Sequence, residues 1–459
     1  MPSPPVVQYA SRTDVGMRRS ANQDSLAVRL CADYNEWHRC GHLFVVADGM
    51  GGHAVGDLAS RITVDTLPHA YFKHDAPTIQ SRMQQAIHAA NKAIHNRSRE
   101  NREFEGMGTT CSVLSLAEDG ATIGHVGDSR VYRVRRGCIE QLTFDHSLQW
   151  EMIRLGRATI DNVELFHPRN VITRCLGPDP LVQVDIEGPF SVEAGDHFVL
   201  CSDGLTNHVT DTEIGQVVAS LPPAESSRLL INLANCRGGS DNSTVIVVGI
   251  DSYPGTVGGA SPELSKSAQF DHTLNIPGKA SKAPQILLAG TAILCLLAGI
   301  GLGIQDNSKL VPAVILVTAS VLSWLIRRRL VRRQLAGGGE CSLAGVTALA
   351  VTGMPPESCA EPTPPQPSIS TTAISPKSPY RTFNAVISDA FLACLAEVQR
   401  KLMQDAKDNA WDVDFQDATT FSKQASAAQQ LGKTSQTVKS RSKAIDLLMR
   451  EMYQRSRSS

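Results

Sequence analysis

The chain has 459 residues, more than one ordinary domain uses, and 44 Lys and Arg against 45 Asp and Glu leave a formal charge of −1. That balance gives no electrostatic reason for a nucleic-acid partner, and the 35 Gly and 24 Pro indicate many turns and at least one flexible segment. The cysteines, Cys31, Cys111, Cys201 and Cys295 among them, form no CxxC pair or compact framework, which argues against a secreted disulfide scaffold and for reduced thiols in a cytoplasmic setting.

The opening MPSPPVVQYASRTD has no basic region followed by an apolar core, so no signal peptide is expected. As far as about residue 252, short apolar strands alternate with amphipathic helices. Leu43–Ala47, Thr109–Leu116, Thr122–Val126, Val131–Arg135, Phe198–Cys201 and Thr244–Gly249 read as strands rich in β-branched residues. Met83, Ile87, Ala90 and Ile94 recur at helical spacing, and Leu148, Met152 and Leu155 mark a second helical face. So many strands without regular βαβ repeats favour packed sheets flanked by helices over a doubly wound parallel sheet.

Residues 253–284 turn to Gly, Ser, Pro and Lys without periodicity and read as a flexible linker. Two uncharged apolar stretches follow, Ile286–Ile304 and Leu310–Ile326, at about 19 and 17 residues long enough to cross a bilayer. The cluster Arg327, Arg328, Arg329, Arg332 and Arg333 follows the second, and Lys279 and Lys282 precede the first. The positive-inside rule then predicts a transmembrane helix pair over 285–333, with both flanks and the N-terminal part in the cytoplasm; one span would put a basic flank outside. Residues 334–379 are dense in Pro, Ser and Thr and read as a disordered linker. Residues 380–459 become helical, with stripes Phe391, Leu395, Val398, Leu402 and Ile445, Leu448, Met449, Met452 but no catalytic constellation. A small helical interaction module, a candidate for homo-oligomerisation, is the expectation there.

The chemistry rests on aspartates at strand ends. Asp48-Gly49 and Asp203-Gly204 follow apolar strands, Asp241-Asn242 precedes one, and Asp128 lies between two. One Asp-Gly is usually a turn. Four such aspartates can instead surround a hard divalent cation, because strand ends are rigid and clustered carboxylates repel without a neutralising charge.

The flanking segments are more specific: TDVGMRRSANQDS, VVADGMGGHAVGDLAS, GMGTTCSVL, HVGDSRVYRVRRG, LTFDHSLQWEMIRLG, HPRNVITRCLG, FVLCSDGLTNHV and GGSDNSTVIVV. In that order, from about Tyr9 to Ile250, they closely resemble the metal-dependent serine/threonine protein phosphatases of the 2C type in their bacterial form. The resemblance covers neither the apolar stretches nor the C-terminal helices. It implies an α+β fold, a β-sandwich of two antiparallel sheets flanked by helices, here followed by the transmembrane pair and a small α-helical C-terminal region.

It also implies roles. Asp48 matches the carboxylate bridging two ions, the Gly49 carbonyl a ligand of the second, and Asp203 and Asp241 ligands of the first. Asp128 matches the aspartate that helps to hold a third, weaker ion, Arg19 the phosphate-binding arginine, and Asp24 an acidic residue near metal-bound water. The ions would be Mn²⁺ or Mg²⁺. They would present a shared hydroxide to phosphoserine or phosphothreonine proteins, opposing a cognate Ser/Thr kinase, and water as the nucleophile requires no reactive Ser or Cys. A phosphatase-like signalling scaffold is the alternative.

Animal relatives carry a histidine where this chain has Met50. The next histidine, His53, reads as a helix-entry residue, no general acid is assigned, and His125 and His146 read as structural. The Gly49–Gly52 run lacks GxxxxGK[ST], which argues against a nucleotide loop.

Overall fold

A computed structural model describes residues 4–51, 55–73, 75–159, 168, 171–254, 381–409, 411 and 415–458. Among these described residues twelve strands form two antiparallel sheets. One sheet runs β2 (Asp24–Arg29), β3 (His42–Met50), β5 (Cys111–Ala117), β6 (Gly120–Val126) and β9 (Asp185–Phe190), with the short β4 (Gly108–Thr109) also on β3. The other runs β1 (Val6–Asp14), β11 (Ser243–Ser252), β10 (His197–Cys201), β7 (Arg130–Arg135), β8 (Cys138–Gln141) and β12 (Thr382–Asn384).

Alternation along the strands explains the layering. In β3, Phe44 and Val46 face the opposite sheet, where they meet Phe198, Leu200, Ile246 and Val248. Leu43 and Val45 point the other way, into a core with Cys40 of α1 (Tyr34–Cys40), α2 (Val55–Lys73) and α3 (Ile79–Ser98). The stripe Met83, Ile87, Ala90 and Ile94 of α3 is fully buried there. The second stripe behaves differently. The helix α4 (Leu148–Arg154) has no buried residue and Leu155 is 57 % exposed, since a helix this short cannot present a continuous face to a core. The outer face of the β1–β12 sheet packs on α6 (Asp211–Ser220) and α7 (Pro223–Cys236), which follow the one-turn helix α5 (Asp203–Thr206).

The C-terminal segment does not stand apart. The described chain up to residue 254 and that from residue 381 belong to one compact unit. Strand β12 adds to the edge of the sheet at β8, with Phe383 opposite Ile139. Helices α8 (Asp389–Asp408), α9 (Phe415–Gln430) and α10 (Thr434–Ser458) follow. Phe391, Leu395, Ile445, Leu448 and Met449 share one buried core with Val199, Val247, Leu229 and Leu233. Arg228 pairs with Asp446 at 3.0 Å, and the Tyr453 hydroxyl donates to Asn232 Oδ1 at 2.8 Å. Apolar stripes expected to serve oligomerisation are thus occupied within the chain.

The expected transmembrane pair requires correction. Its two stretches, 286–304 and 310–326, lie outside the described residues, as do the second linker and the first linker beyond residue 254. Among the described residues no helix is long and apolar enough to cross a membrane. The helices of the C-terminal segment are amphipathic, with polar faces that lipid would leave unsatisfied. The multi-pass membrane location expected from hydropathy therefore has no support among the described residues.

Candidate active site

The fold gathers the singled-out aspartates at one end of the sandwich. Asp24 opens β2 and lies directly opposite Asp48 near the end of β3. Asp203 follows β10 and Asp241 precedes β11, and these strands are antiparallel neighbours with Cys201 opposite Val245. Asp128 sits in the turn from β6 to β7, whose first residue, Arg130, lies opposite Cys201.

Local chemistry fixes each position. The Thr110 hydroxyl accepts from the Asp48 N–H at 2.9 Å, while the Thr110 N–H donates to the Asp48 carbonyl at 2.8 Å, which breaks the ladder between β4 and β5 and pins the Asp48 backbone. Gly49 is demanded by close approach: a Cβ there would lie 2.0 Å from the Gly56 carbonyl oxygen at the start of α2. A Cβ on Gly204 would lie 1.9 Å from the Asn242 carbonyl oxygen, so that glycine lets the Asp203 turn press against the Asp241 loop. Ser202 ties the strands together, accepting from the Thr244 N–H at 2.9 Å and donating to Asp24 Oδ2 at 2.7 Å.

Electrostatically the cluster is uncomfortable. Burial, opposed by hydrogen bonds from Ser202 and Thr244 and reinforced by Asp203 and Asp241, pushes Asp24 up to about 7. Burial and the charges of Asp24, Asp203, Asp128 and Asp241 hold Asp48 well above the ordinary carboxylate range. Asp128 is raised by burial and by Asp203 and Asp145, and Asp203 by burial and Asp241. Among the described residues no group of three Asp, Glu, His or Cys side chains is drawn together as a finished ligand set. Local partners take up two of the aspartates: Arg19 Nη2 lies 2.8 Å from Asp241 Oδ2, and Asn207 donates to Asp203 Oδ2 at 3.2 Å. The donors nonetheless fit hard cations. Asp24 Oδ1 and Asp128 Oδ1 are buried without a hydrogen-bond partner, and a divalent ion removes both that deficit and the mutual repulsion.

Other candidates sort cleanly. Cys111 and Cys201 are fully buried and burial pushes both thiols up, Cys111 to about 12, so they are inert core residues. His125 is buried, its Nδ1 2.9 Å from Ser112 Oγ and its Nε2 2.9 Å from the Gly127 carbonyl; burial and His146 lower it to about 3, so it stays neutral. The Gly127 N–H donates to His146 Nδ1 at 3.0 Å. Met50 ends β3, and His53 lies outside the described residues. Sequence reasoning passed over Arg130 and Asp145, which form a bidentate pair with contacts of 2.6–3.0 Å behind the cluster. Both lie in the motif segments GDSR and FDHS, where an arginine two residues after Asp128 opens an apolar strand.

Carboxylates crowded at the end of a rigid sandwich beside an arginine suit cations and an anionic substrate together, the class of a metal-dependent phosphoester hydrolase. Residues 17–230 match the family model described as protein phosphatase 2C. The chain is 36 % identical over 245 residues to the protein phosphatase PhpP of Streptococcus pneumoniae, covering 52 % of this chain and 96 % of that protein. It is 37 % identical over 244 residues to the serine/threonine phosphatase stp of Listeria monocytogenes, covering 52 % and 93 %. A crystal structure of the Mycobacterium tuberculosis serine/threonine phosphatase PstP/Ppp, 33 % identical, aligns with a TM-score of 0.48 over 53 % of this chain and 99 % of that one. The chain belongs to the protein phosphatase 2C family.

Proposed function

We propose that the protein is a metal-dependent serine/threonine phosphoprotein phosphatase whose active site is the aspartate cluster at the end of the sandwich. The carrying observation is the convergence of Asp24, Asp48, Asp128, Asp203 and Asp241 in mutual repulsion, with buried oxygens on Asp24 and Asp128 lacking partners. Two divalent cations, Mn²⁺ or Mg²⁺, supply when bound a nucleophile at neutral pH and charge neutralisation for the phosphoryl oxygens. Asp48, Asp203, Asp241 and the Gly49 carbonyl would hold the pair, and Asp128 would contribute to a third, weaker position. Asp24, locked by Ser202, would offer its second, buried oxygen to water bound beside the cations. Arg19 is half exposed and rests on Asp241 through one nitrogen, which leaves donors of its planar fork for a phosphate. The substrates are phosphoserine and phosphothreonine proteins, and a cognate Ser/Thr kinase supplies them.

The test uses the full chain. With Mn²⁺ it should release phosphate from a phosphothreonine peptide, and EDTA should stop the reaction. Activity that survives chelation, or its absence at saturating Mn²⁺, defeats the reading.

A further inference from the structure

Behind the aspartate cluster lies a closed, largely buried network of two arginines and two aspartates, and one arginine comes from the C-terminal segment. Arg381 immediately precedes β12, and its carbonyl accepts from the Gln141 N–H at 3.0 Å. Its guanidinium donates to Gln141 Oε1 at 2.7 Å, lies 3.3 Å from Asp211 Oδ2, and covers the Trp150 ring at 4.8 Å. Gln141 passes the contact on, its Nε2 donating to Asp145 Oδ1 at 2.9 Å, and Asp145 grips Arg130 with both oxygens. Asp211 closes the ring from the other side, accepting from the Tyr132 hydroxyl at 2.7 Å and from Arg130 Nη1 at 3.3 Å.

The side chains of Asp145 and Asp211 are only 5 % and 10 % exposed, so their charges need nearby cations. Arg130 alone leaves the pair one positive charge short, and Arg381 restores neutrality. Arg130 stands two residues from Asp128 and opposite Cys201, which is itself two residues from Asp203, and its charge acts on both aspartates. The matched family segment ends at residue 230, so Arg381 lies outside it.

Resting on the proposed function, we propose that Arg381 is a positioning residue. Through Gln141, Asp145 and Asp211 it fixes Arg130 behind Asp128 and Asp203, and so makes cation binding by the cluster depend on docking of the C-terminal segment. Linkage requires the converse as well: cation binding tightens that docking.

The test measures Mn²⁺ affinity of full-length variants by titration calorimetry and by the electron paramagnetic resonance signal of free Mn²⁺, alongside peptide hydrolysis. Arg381→Met keeps an unbranched side chain of similar girth and removes the guanidinium with its charge and donors. It should weaken Mn²⁺ binding about fivefold or more, with turnover recovered at saturating Mn²⁺. Arg381→Lys should regain part of the loss. Arg228→Met, which breaks the distant pair with Asp446 on the same docked segment, should lower the melting temperature and leave Mn²⁺ affinity unchanged. Should Arg381→Met not fold, Asp211→Asn breaks the ring from the catalytic side and should weaken binding in the same way. Parental Mn²⁺ affinity in Arg381→Met, or in Asp211→Asn where that variant stands in, overturns the inference. Equal weakening by Arg228→Met also overturns it, since Arg381 would then be structural only. A parent protein that binds no Mn²⁺ defeats the proposed function itself, a result separable from these.

Discussion

At the scale of single residues, the site trades stability for chemistry. Asp203 is raised by burial and by Asp241, so its charge costs the metal-free fold. Asp203→Asn should therefore reduce turnover by about a hundredfold or more while raising metal-free stability by about 1 kcal/mol. Hydrolysis with Mn²⁺ and calorimetry in EDTA read the two effects. Gly204→Ala should do harm on both counts, because its Cβ would sit 1.9 Å from the Asn242 carbonyl oxygen. The strain should cost about 1–3 kcal/mol, measured by urea unfolding, and lower activity as the Asp203 turn moves off Asp241.

His125 gives a pH signature. Its folded value is depressed to about 3 by burial, so between the unfolded value near 6.5 and that point the unfolded chain binds the extra proton. Stability conferred by the neutral ring is present above the unfolded value and is lost as pH falls through the window, by up to roughly 5 kcal/mol. His125→Asn should flatten the slope of unfolding free energy between pH 6 and 4 relative to the parent. The aspartates were legible because Asp-Gly pairs at the ends of apolar runs carry their own local signal. The ring of Arg130, Asp145, Asp211 and Arg381 was not, since its members come from four separate segments and only folding brings them together.

At the scale of elements, most strands were readable from β-branched runs, yet their bounds moved where a side chain or turn intervened. The run expected over Thr109–Leu116 divides at Thr110, whose N–H turns to Asp48. Strand β12 was invisible: three residues after a Pro- and Ser-rich stretch have no period, and only the open edge at β8 makes them a strand. The helical stripes of the C-terminal segment were visible, but which surface they cover is a tertiary fact that periodicity cannot carry. Leu448 lies fully buried in the core shared with α7. Leu448→Ala should cost about 2–5 kcal/mol and do so in the unfolding transition of the catalytic part, followed by denaturation of the full chain.

At the scale of the whole molecule, the described N-terminal and C-terminal parts share a core and should unfold as one cooperative unit. A chain stopped after residue 254 would expose Leu229, Leu233 and their neighbours, and should melt lower and bind a hydrophobic dye. Adding a separate fragment 381–459 should reverse both, with co-elution on size exclusion as the check. The strand order places the first strand and the last strand at opposite edges of the same sheet. During synthesis β8 thus emerges long before its neighbour, and at ordinary elongation rates the stretch from Gln141 to Thr382 takes about 12 to 50 s to translate. For that interval a row of unpaired backbone groups on β8 stays open, where nascent copies on one polysome could zip together; β8 itself carries no lysine or arginine, and the nearest are Arg130, Arg133 and Arg135 on β7 and Arg136 in the turn between them.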